Sequence, residues 1–433
     1  MLSLPIATLA VLAMTAAAKK CLNVTVPVDI AARTAVFDLP VPQSNADATA
    51  FVSNLTQQGR NFTDLVLTGY QNTAGKYQIS TQYCVPSVNN VSHPTLQILT
   101  HGIGFDKTYW DNAYNNFNYS YVDVATDQYK YSTLSYDRLG IGNSSHGEPL
   151  NEIQSYLEVA ALAKLTLMLR NGSFPGVPTA FRTITHVGHS FGSAQTYSLV
   201  NTYPNISDGI VLTGFSMNGS FIPYFEAGAD FIQANLNQPF RFGNASFAVG
   251  DAILASVSTA LNISTTSVAA TNIINNYGLT DFVAGLPTRQ RVPYVNGYLA
   301  NSNANSNQYL FFEPGFFDPQ LAFAGEATKQ PVAVGELLTL GSAPMVNNYA
   351  GPVLVITGSS DLPFCGGDCF ATGDPTLPSI PAAVAASFPR VRAEDFTAYI
   401  QPNTGHGLNF HYNQTGAYRV INDFLGSKGL APS

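Results

Sequence analysis

Residues 183–195 read T-I-T-H-V-G-H-S-F-G-S-A-Q. The β-branched run of Thr183, Ile184, Thr185 and Val187 predicts a short strand reaching Gly188. Gly188-His189-Ser190-Phe191-Gly192 follows, and Ser193 and Ala194 open a helical pattern running through Leu199. Strand, tight turn, helix is the context in which G-x-S-x-G carries chemistry. Such a turn strains the serine backbone, so its neighbours must be small, and Gly188 and Gly192 have no Cβ to collide. The turn lifts the Ser190 hydroxyl above the strand ends. It leaves the Phe191 N–H at a helix N-terminus, where it can meet a developing oxyanion. Taken alone the pattern arises readily by chance, and an ordinary turn with a buried serine is the alternative. The rest of the chain decides between them.

Strands recur on both sides of this turn. Ala32–Leu39 and Tyr77–Val85 alternate like partly exposed strands, and Leu96–Thr100 is a short apolar strand running into His101-Gly102-Ile103-Gly104. Tyr131–Tyr136 ends in Asp137-Arg138-Leu139-Gly140-Ile141-Gly142-Asn143-Ser144, and Asn151–Arg170 has the apolar spacing of an amphipathic helix. Gly209–Gly214 and Gly351–Gly358 read as buried strands. A helix near Pro381–Phe388, a strand at Asp395–Ile400 and a helix at Gln414–Leu425 close the chain. Strands alternating with helices predict an α/β protein whose mostly parallel sheet is covered on both faces, with chemistry at the carboxyl ends of the strands. The rhythm stops over 216–349. Helix-like pieces at Gly250–Leu261 and Ser267–Ile274 and a Tyr/Phe-rich tract around Tyr309–Phe317 lie there, and Asn301–Asn307 (N-S-N-A-N-S-N) reads as a surface loop. We read the interruption as a largely helical lid inserted after the sixth core strand. The expected organisation is a leader at 1–18, core at 19–215, lid at 216–349 and core again at 350–433.

Of 433 residues, 45% are hydrophobic and 11% charged, which allows a large core. The net charge is −8 with no basic run, so nucleic acid is not an expected partner. Residues 2–18 read as a signal peptide, with Ala16-Ala17-Ala18 supplying small residues for cleavage before Lys19. This run is shorter than the ~20 apolar residues that span a bilayer, and no stable membrane anchor is expected. Secretion fits the N-x-S/T sequons at Asn23, Asn54, Asn61, Asn90, Asn118, Asn205, Asn244 and Asn413. It also fits an even count of four cysteines. Cys365 and Cys369 are close enough to bridge locally, which leaves Cys21 with Cys84. Cys365-Gly-Gly-Asp-Cys369 has no nearby histidine and no second cysteine pair, so no metal site is expected there.

A serine hydroxyl needs a base to take its proton, and the base needs an orienting acid. Asp361 lies three residues beyond Gly358, and His406 sits in Asn403-Thr404-Gly405-His406-Gly407 directly after the Asp395 strand. Each is the first plausible loop residue after its strand. Asp368, between the two cysteines, is the alternative acid. Of the other histidines, His101 is expected to orient its loop, His189 is the variable residue of the turn, and His186 is a satisfied core residue. His411 reads as a cap or surface residue, and His93 and His146 lie in loops without a motif. The oxyanion needs two N–H donors, assigned here to Phe191 and Ile103.

H-G-I-G, Y-D-R-L-G-I-G-N-S, G-H-S-F-G, V-L-V-I-T-G-S-S-D and G-H-G-L-N-F-H-Y-N, in this order, resemble the α/β-hydrolase superfamily from about residue 77 to 425, the lid excluded. With the leader and the sequons, the chain is similar to secreted fungal AB-hydrolase-type serine hydrolases of the esterase and lipase kind. The resemblance implies the α/β-hydrolase fold and a Ser-Asp-His acyl-enzyme mechanism that uses no metal or other cofactor. Epoxide hydrolases and haloalkane dehalogenases carry an aspartate where this chain has Ser190, and H-G-I-G departs from the H-G-G-G loop of hormone-sensitive-lipase-like esterases. The expected substrate is a small-molecule carboxylic ester or lactone. A peptidase, amidase or thioesterase with the same triad is the alternative, with Glu226, Asp230 or Glu313 as candidates to hold a substrate amine. A binding protein that has lost turnover is the remaining reading.

Overall fold

The computed structural model describes residues 19–87, 91–239, 241–243 and 293–433. The leader, the sequons Asn90 and Asn244 and the helix-like pieces at Gly250–Leu261 and Ser267–Ile274 lie outside the described residues.

The central sheet has eight strands: β1 (Lys20–Phe37), β2 (Leu67–Val85), β3 (Thr95–Thr100), β4 (Ser132–Tyr136), β5 (Thr183–His189), β6 (Gly209–Thr213), β7 (Val353–Gly358) and β8 (Phe396–Gln401). Their spatial order is β1-β2-β4-β3-β5-β6-β7-β8. β1, β2 and β4 pair antiparallel, and every pair from β4 to β8 is parallel. β3, β4, β6 and β7 are buried along their whole length and β5 at every residue but Thr183, which is why none shows the in-out alternation of a half-exposed strand.

The β1–β2 hairpin is much longer than the alternation at Ala32–Leu39 and Tyr77–Val85 predicts. Its polar outer half, Gln71–Lys76, keeps the backbone ladder while losing the buried stripe that makes a strand visible in sequence. Cys21 and Cys84 are direct cross-strand partners and form a disulfide, and Cys365 and Cys369 form the second. In the loop-closure model these bridges contribute about 4 and about 2 kcal/mol.

Helix α1 (Ser155–Asn171) packs against β1 and stops at Gly172 in the left-handed conformation, φ +74°. Helix α2 (Phe191–Thr202) starts at the Ser190 turn. The chain leaves the sheet after β6 and returns at β7. Between them the described residues form helices α3 (Ile222–Gly228), α4 (Ala304–Phe311) and α5 (Pro319–Thr328). They also form a small antiparallel sheet of Ile232–Gln233, Tyr298–Ala300 and Val332–Ala333. Helix α6 (Gln414–Ser427) ends the fold, and Pro381–Ser387 is a 3₁₀ helix.

Asn301–Asn307 is not a surface loop. Asn303 caps α4, its Oδ1 accepting from the N–H groups of Asn305 and Ser306, and Asn301, Ser302, Ser306 and Asn307 are buried. Polar residues are tolerated there because partners exist: Ser306 donates to the Ala229 carbonyl, and the Asn301 carbonyl accepts from Lys329.

Candidate active site

Ser190 follows β5 with φ +55° and ψ −119°, a conformation rarely adopted by a residue with a side chain. The surroundings impose it. A Cβ on Gly188 would lie 2.4 Å from the Gly192 carbonyl oxygen, and one on Gly192 would lie 2.3 Å from that of Thr100. Gly192→Ala is therefore expected to lower the yield of folded protein and its melting temperature. Circular dichroism checks this; a variant that folds and melts like the wild type contradicts it.

β5, β7 and β8 deliver the side chains of Ser190, Asp361 and His406 to one edge of the sheet. The Ser190 hydroxyl donates to His406 Nε2 at 2.8 Å, and His406 Nδ1–H donates to Asp361 Oδ2 at 2.8 Å. An acid at Nδ1 fixes the tautomer that leaves Nε2 free to accept. Asp361 Oδ2 also accepts from the Thr357 hydroxyl, and Oδ1 accepts from the Phe364 N–H at 3.0 Å. Gly358 lets the two loops meet, because a Cβ there would lie 2.2 Å from the Thr404 carbonyl oxygen. Asp368 is exposed, and among the described residues its carboxyl accepts from the Phe370 N–H and makes no contact with His406. Asp361 is thus the acid that the geometry selects.

His406 is walled by aromatic rings. Phe225, Phe311 and Phe364 have ring centroids 6.1, 6.0 and 5.7 Å from its own. Phe225 and Phe311 come from α3 and α4, so the segment between β6 and β7 covers the catalytic edge. Its ties to the core are polar as well. The Gln330 N–H donates to the Gly104 carbonyl and the Gly407 N–H to the Phe311 carbonyl, both at 2.9 Å.

The Phe191 and Ile103 N–H groups have no acceptor among the described residues. Gly102, beside Ile103, packs directly on Ser190, since a Cβ there would lie 2.8 Å from Ser190 Cβ. His101 sets this turn as expected: Nδ1–H donates to the Gly102 carbonyl and Nε2 accepts from the Arg138 N–H. Burial, aided by the Arg138 guanidinium, lowers its pKa to about 3.

Arg138 is itself buried, with Nη1 between Glu158 Oε2 and Glu336 Oε1, each at 2.6 Å. It also lies over the Phe191 ring, 4.8 Å from the centroid. Burial pushes Glu158 well above the usual carboxyl range, against the pull of the guanidinium. This cluster joins the helix before the elbow (Glu158), the loop after β4 (Arg138) and the inserted segment (Glu336). The Arg138 motif is visible in sequence; its two partners, far along the chain, are not.

The remaining histidines are structural. His186 bonds through both ring nitrogens to the Thr166 and Ser207 hydroxyls, as a satisfied core histidine should. His411 is buried instead of being a surface residue. Its Nε2 accepts from the Gly405 and Glu313 N–H groups, and its Nδ1–H donates to the Gly407 carbonyl. It thereby ties the His406 loop to the inserted segment, and burial lowers its pKa to about 4. His189 stacks on Tyr109 at 4.4 Å and lies 5.0 Å from the His406 ring. Burial, then the proximity of His406, holds its pKa well below the usual imidazole range.

Of the three acids raised as amine-holding candidates, Asp230 and Glu313 lie outside the cavity beside the triad, whereas Glu226 lines it. Glu226 is 4% exposed, makes no hydrogen bond or ion pair among the described residues, and is pushed up to about 8 by burial. The folded chain holds this proton to about pH 8, whereas unfolded glutamate loses it near 4.5. Between these values the stability contributed by Glu226 falls as pH rises. Glu226→Gln is expected to melt above the wild type at pH 8, with the gap closing as pH falls to 4.5. A gap that does not change with pH contradicts this.

Asn23, Asn61, Asn118 and Asn205 are exposed. Asn54 and Asn413 are half-buried, and the Asn413 amide donates to the Pro402 carbonyl. Among the described residues no helix is long and apolar enough to cross a membrane.

A mostly parallel eight-stranded sheet with a strained serine between a strand and a helix defines an α/β-hydrolase. The chain belongs to the alpha/beta hydrolase family, whose model matches residues 97–416. No curated protein matches it. Among solved structures it is similar to an esterase from Thermogutta terrifontis at 13% identity, covering 82% of this chain and 94% of that one, with a TM-score of 0.40. A Vigna radiata epoxide hydrolase matches at 14% identity over 82% and 94%, with a TM-score of 0.42. A Paleococcus ferrophilus monoacylglycerol lipase matches at 12% over 78% and 97%, with a TM-score of 0.38.

Proposed function

We propose that this hydrolase is a secreted serine esterase that cleaves a small-molecule carboxylic ester or lactone through an acyl-enzyme. The observation that carries the reading is the unbroken hydrogen-bonded series from Ser190 through His406 to Asp361. As the Ser190 oxygen attacks the carbonyl carbon, its proton passes to His406 Nε2 and the imidazolium is stabilised by Asp361. The N–H groups of Phe191 and Ile103 receive the oxyanion. His406 then protonates the leaving alcohol, and a water deprotonated by the same ring releases the acid.

The segment over 216–349 serves as a lid, with Phe225 and Phe311 excluding water from His406. The two disulfides and the exposed sequons support an extracellular location, with Asn23, Asn61, Asn118 and Asn205 as the better glycan acceptors. The overall cast resembles secreted fungal serine hydrolases.

The test is a matched panel of p-nitrophenyl esters, thioesters and aminoacyl-anilides assayed with the purified protein. Ester turnover well above that of the anilides is expected. Preference for anilides turns the reading into the peptidase alternative. No turnover of any of them, with no covalent labelling of Ser190, leaves a binding protein.

A further inference from the structure

A cavity of about 620 Å³ lies against the catalytic edge. Phe364 is in its wall and also faces the His406 ring at 5.7 Å. Ala194 lines it one turn along α2 from Ser190, whose carbonyl accepts the Ala194 N–H. Phe215 and Ser216 line it directly after Gly214, where a Cβ would lie 3.0 Å from His406 Cε1. Glu226 lines it from α3, next to Phe225, whose ring faces His406 on the other side. The cavity and the triad therefore share a wall.

Much of the lining is apolar, with Phe37, Leu55, Ile222, Leu337 and Leu338 among its residues. Two of its polar side chains are engaged elsewhere. The Ser216 hydroxyl donates to the Phe364 carbonyl, and the Thr339 hydroxyl donates to that of Gly335. Asp64, the other carboxyl in the lining, is exposed and bonded to the Asn61 amide. Tyr70 and Tyr156 contribute the only phenols among the described lining residues, and both rings stand together. Glu226 is the exception: a buried carboxyl with no hydrogen-bond or ion-pair partner among the described residues. An unpartnered polar group in an apolar chamber costs free energy unless a ligand satisfies it.

Resting on the esterase reading, we propose that this cavity receives the chain of the ester substrate, and that Glu226 is its recognition group, exchanging hydrogen bonds with one hydroxyl on an otherwise apolar chain. A carboxylic acid offers one donor and one acceptor, and a hydroxyl offers the same pair. Burial keeps Glu226 protonated at neutral pH, the form this exchange needs. An ammonium group fits worse. It brings three donors to a site with one open acceptor, and its charge would have to shed its water.

The experiment uses the full chain carrying Ser190→Ala, so that esters bind without turnover. Calorimetry compares methyl alkanoates with their ω-hydroxy and ω-amino counterparts over a series of chain lengths. At the best length the ω-hydroxy ester is expected to bind about tenfold tighter than the plain ester. Adding Glu226→Leu removes that preference, and adding Glu226→Gln, which keeps a donor and an acceptor, retains it. Thermal melts verify folding of each variant.

Three outcomes overturn the proposal: a hydroxyl preference that survives Glu226→Leu, a preference for the ammonium ester that Glu226→Gln removes, or no binding of any ester. The last leaves the hydrolase reading to be judged separately, by covalent labelling of wild-type Ser190.

Discussion

On the proposed mechanism, Ser190→Ala is expected to lower ester turnover by about six orders of magnitude, and His406→Ala by nearly as much. Neither effect adds to the other, because nucleophile and base act as one unit. In the proposed reaction the hydroxyl oxygen is the atom that bonds to carbon, and His406 Nε2, 2.8 Å away, is the acceptor for its proton. What survives is the residual catalysis of the two N–H donors and of binding. Alanine leaves the elbow backbone as it is, so the melting temperature should hardly move. A fall of less than tenfold in turnover would show that Ser190 does not attack the substrate. The measurement is single-turnover and steady-state hydrolysis of one p-nitrophenyl ester with wild type and both variants.

Asp361→Asn is the second large effect, a fall in kcat of about four orders of magnitude. The volume is unchanged, so the loss is electronic and tautomeric. An asparagine amide pointing at His406 Nδ1 donates instead of accepting. The ring must then carry its proton on Nε2, where it can no longer take one from Ser190. The Phe364 N–H still donates to the remaining oxygen, and the Thr357 hydroxyl, which donates to Oδ2 in the wild type, can turn to accept from the amide nitrogen. Asp368→Asn is the control. Its carboxyl bonds the Phe370 N–H, and turnover should stay within about twofold of wild type, since surface substitutions are close to neutral. If Asp368→Asn is the damaging change and Asp361→Asn is not, the assignment of the acid is reversed.

Much of this site was legible in the sequence because each part follows a strand closely. G-H-S-F-G, the Asp361 loop and the His406 loop all begin where an apolar run ends, and the parallel sheet gathers such ends on one edge. The long hairpin was only half legible, since a ladder of backbone bonds leaves no mark where both faces are polar. Asn301–Asn307 misled for a related reason. Composition records polarity and is blind to partners, and here the partners are a helix N-terminus, the Ala229 carbonyl and Lys329. His411 and the Arg138–Glu158–Glu336 cluster were out of reach because their meaning comes from contacts across 98 and 198 residues of chain. Glu226 was one of three unmarked acids in the sequence. Burial without a partner, a property of the fold alone, is what sets it apart.

The central claim is that the Ser190 hydroxyl, activated by His406, is a nucleophile. The most direct measurement is peptide mapping by mass spectrometry after a fluorophosphonate is added to the native protein. One adduct on Ser190 is predicted, formed quickly in wild type and in Glu226→Gln and lost in His406→Ala. An unlabelled Ser190 in correctly folded wild-type protein, or a label that forms equally well without His406, contradicts the account.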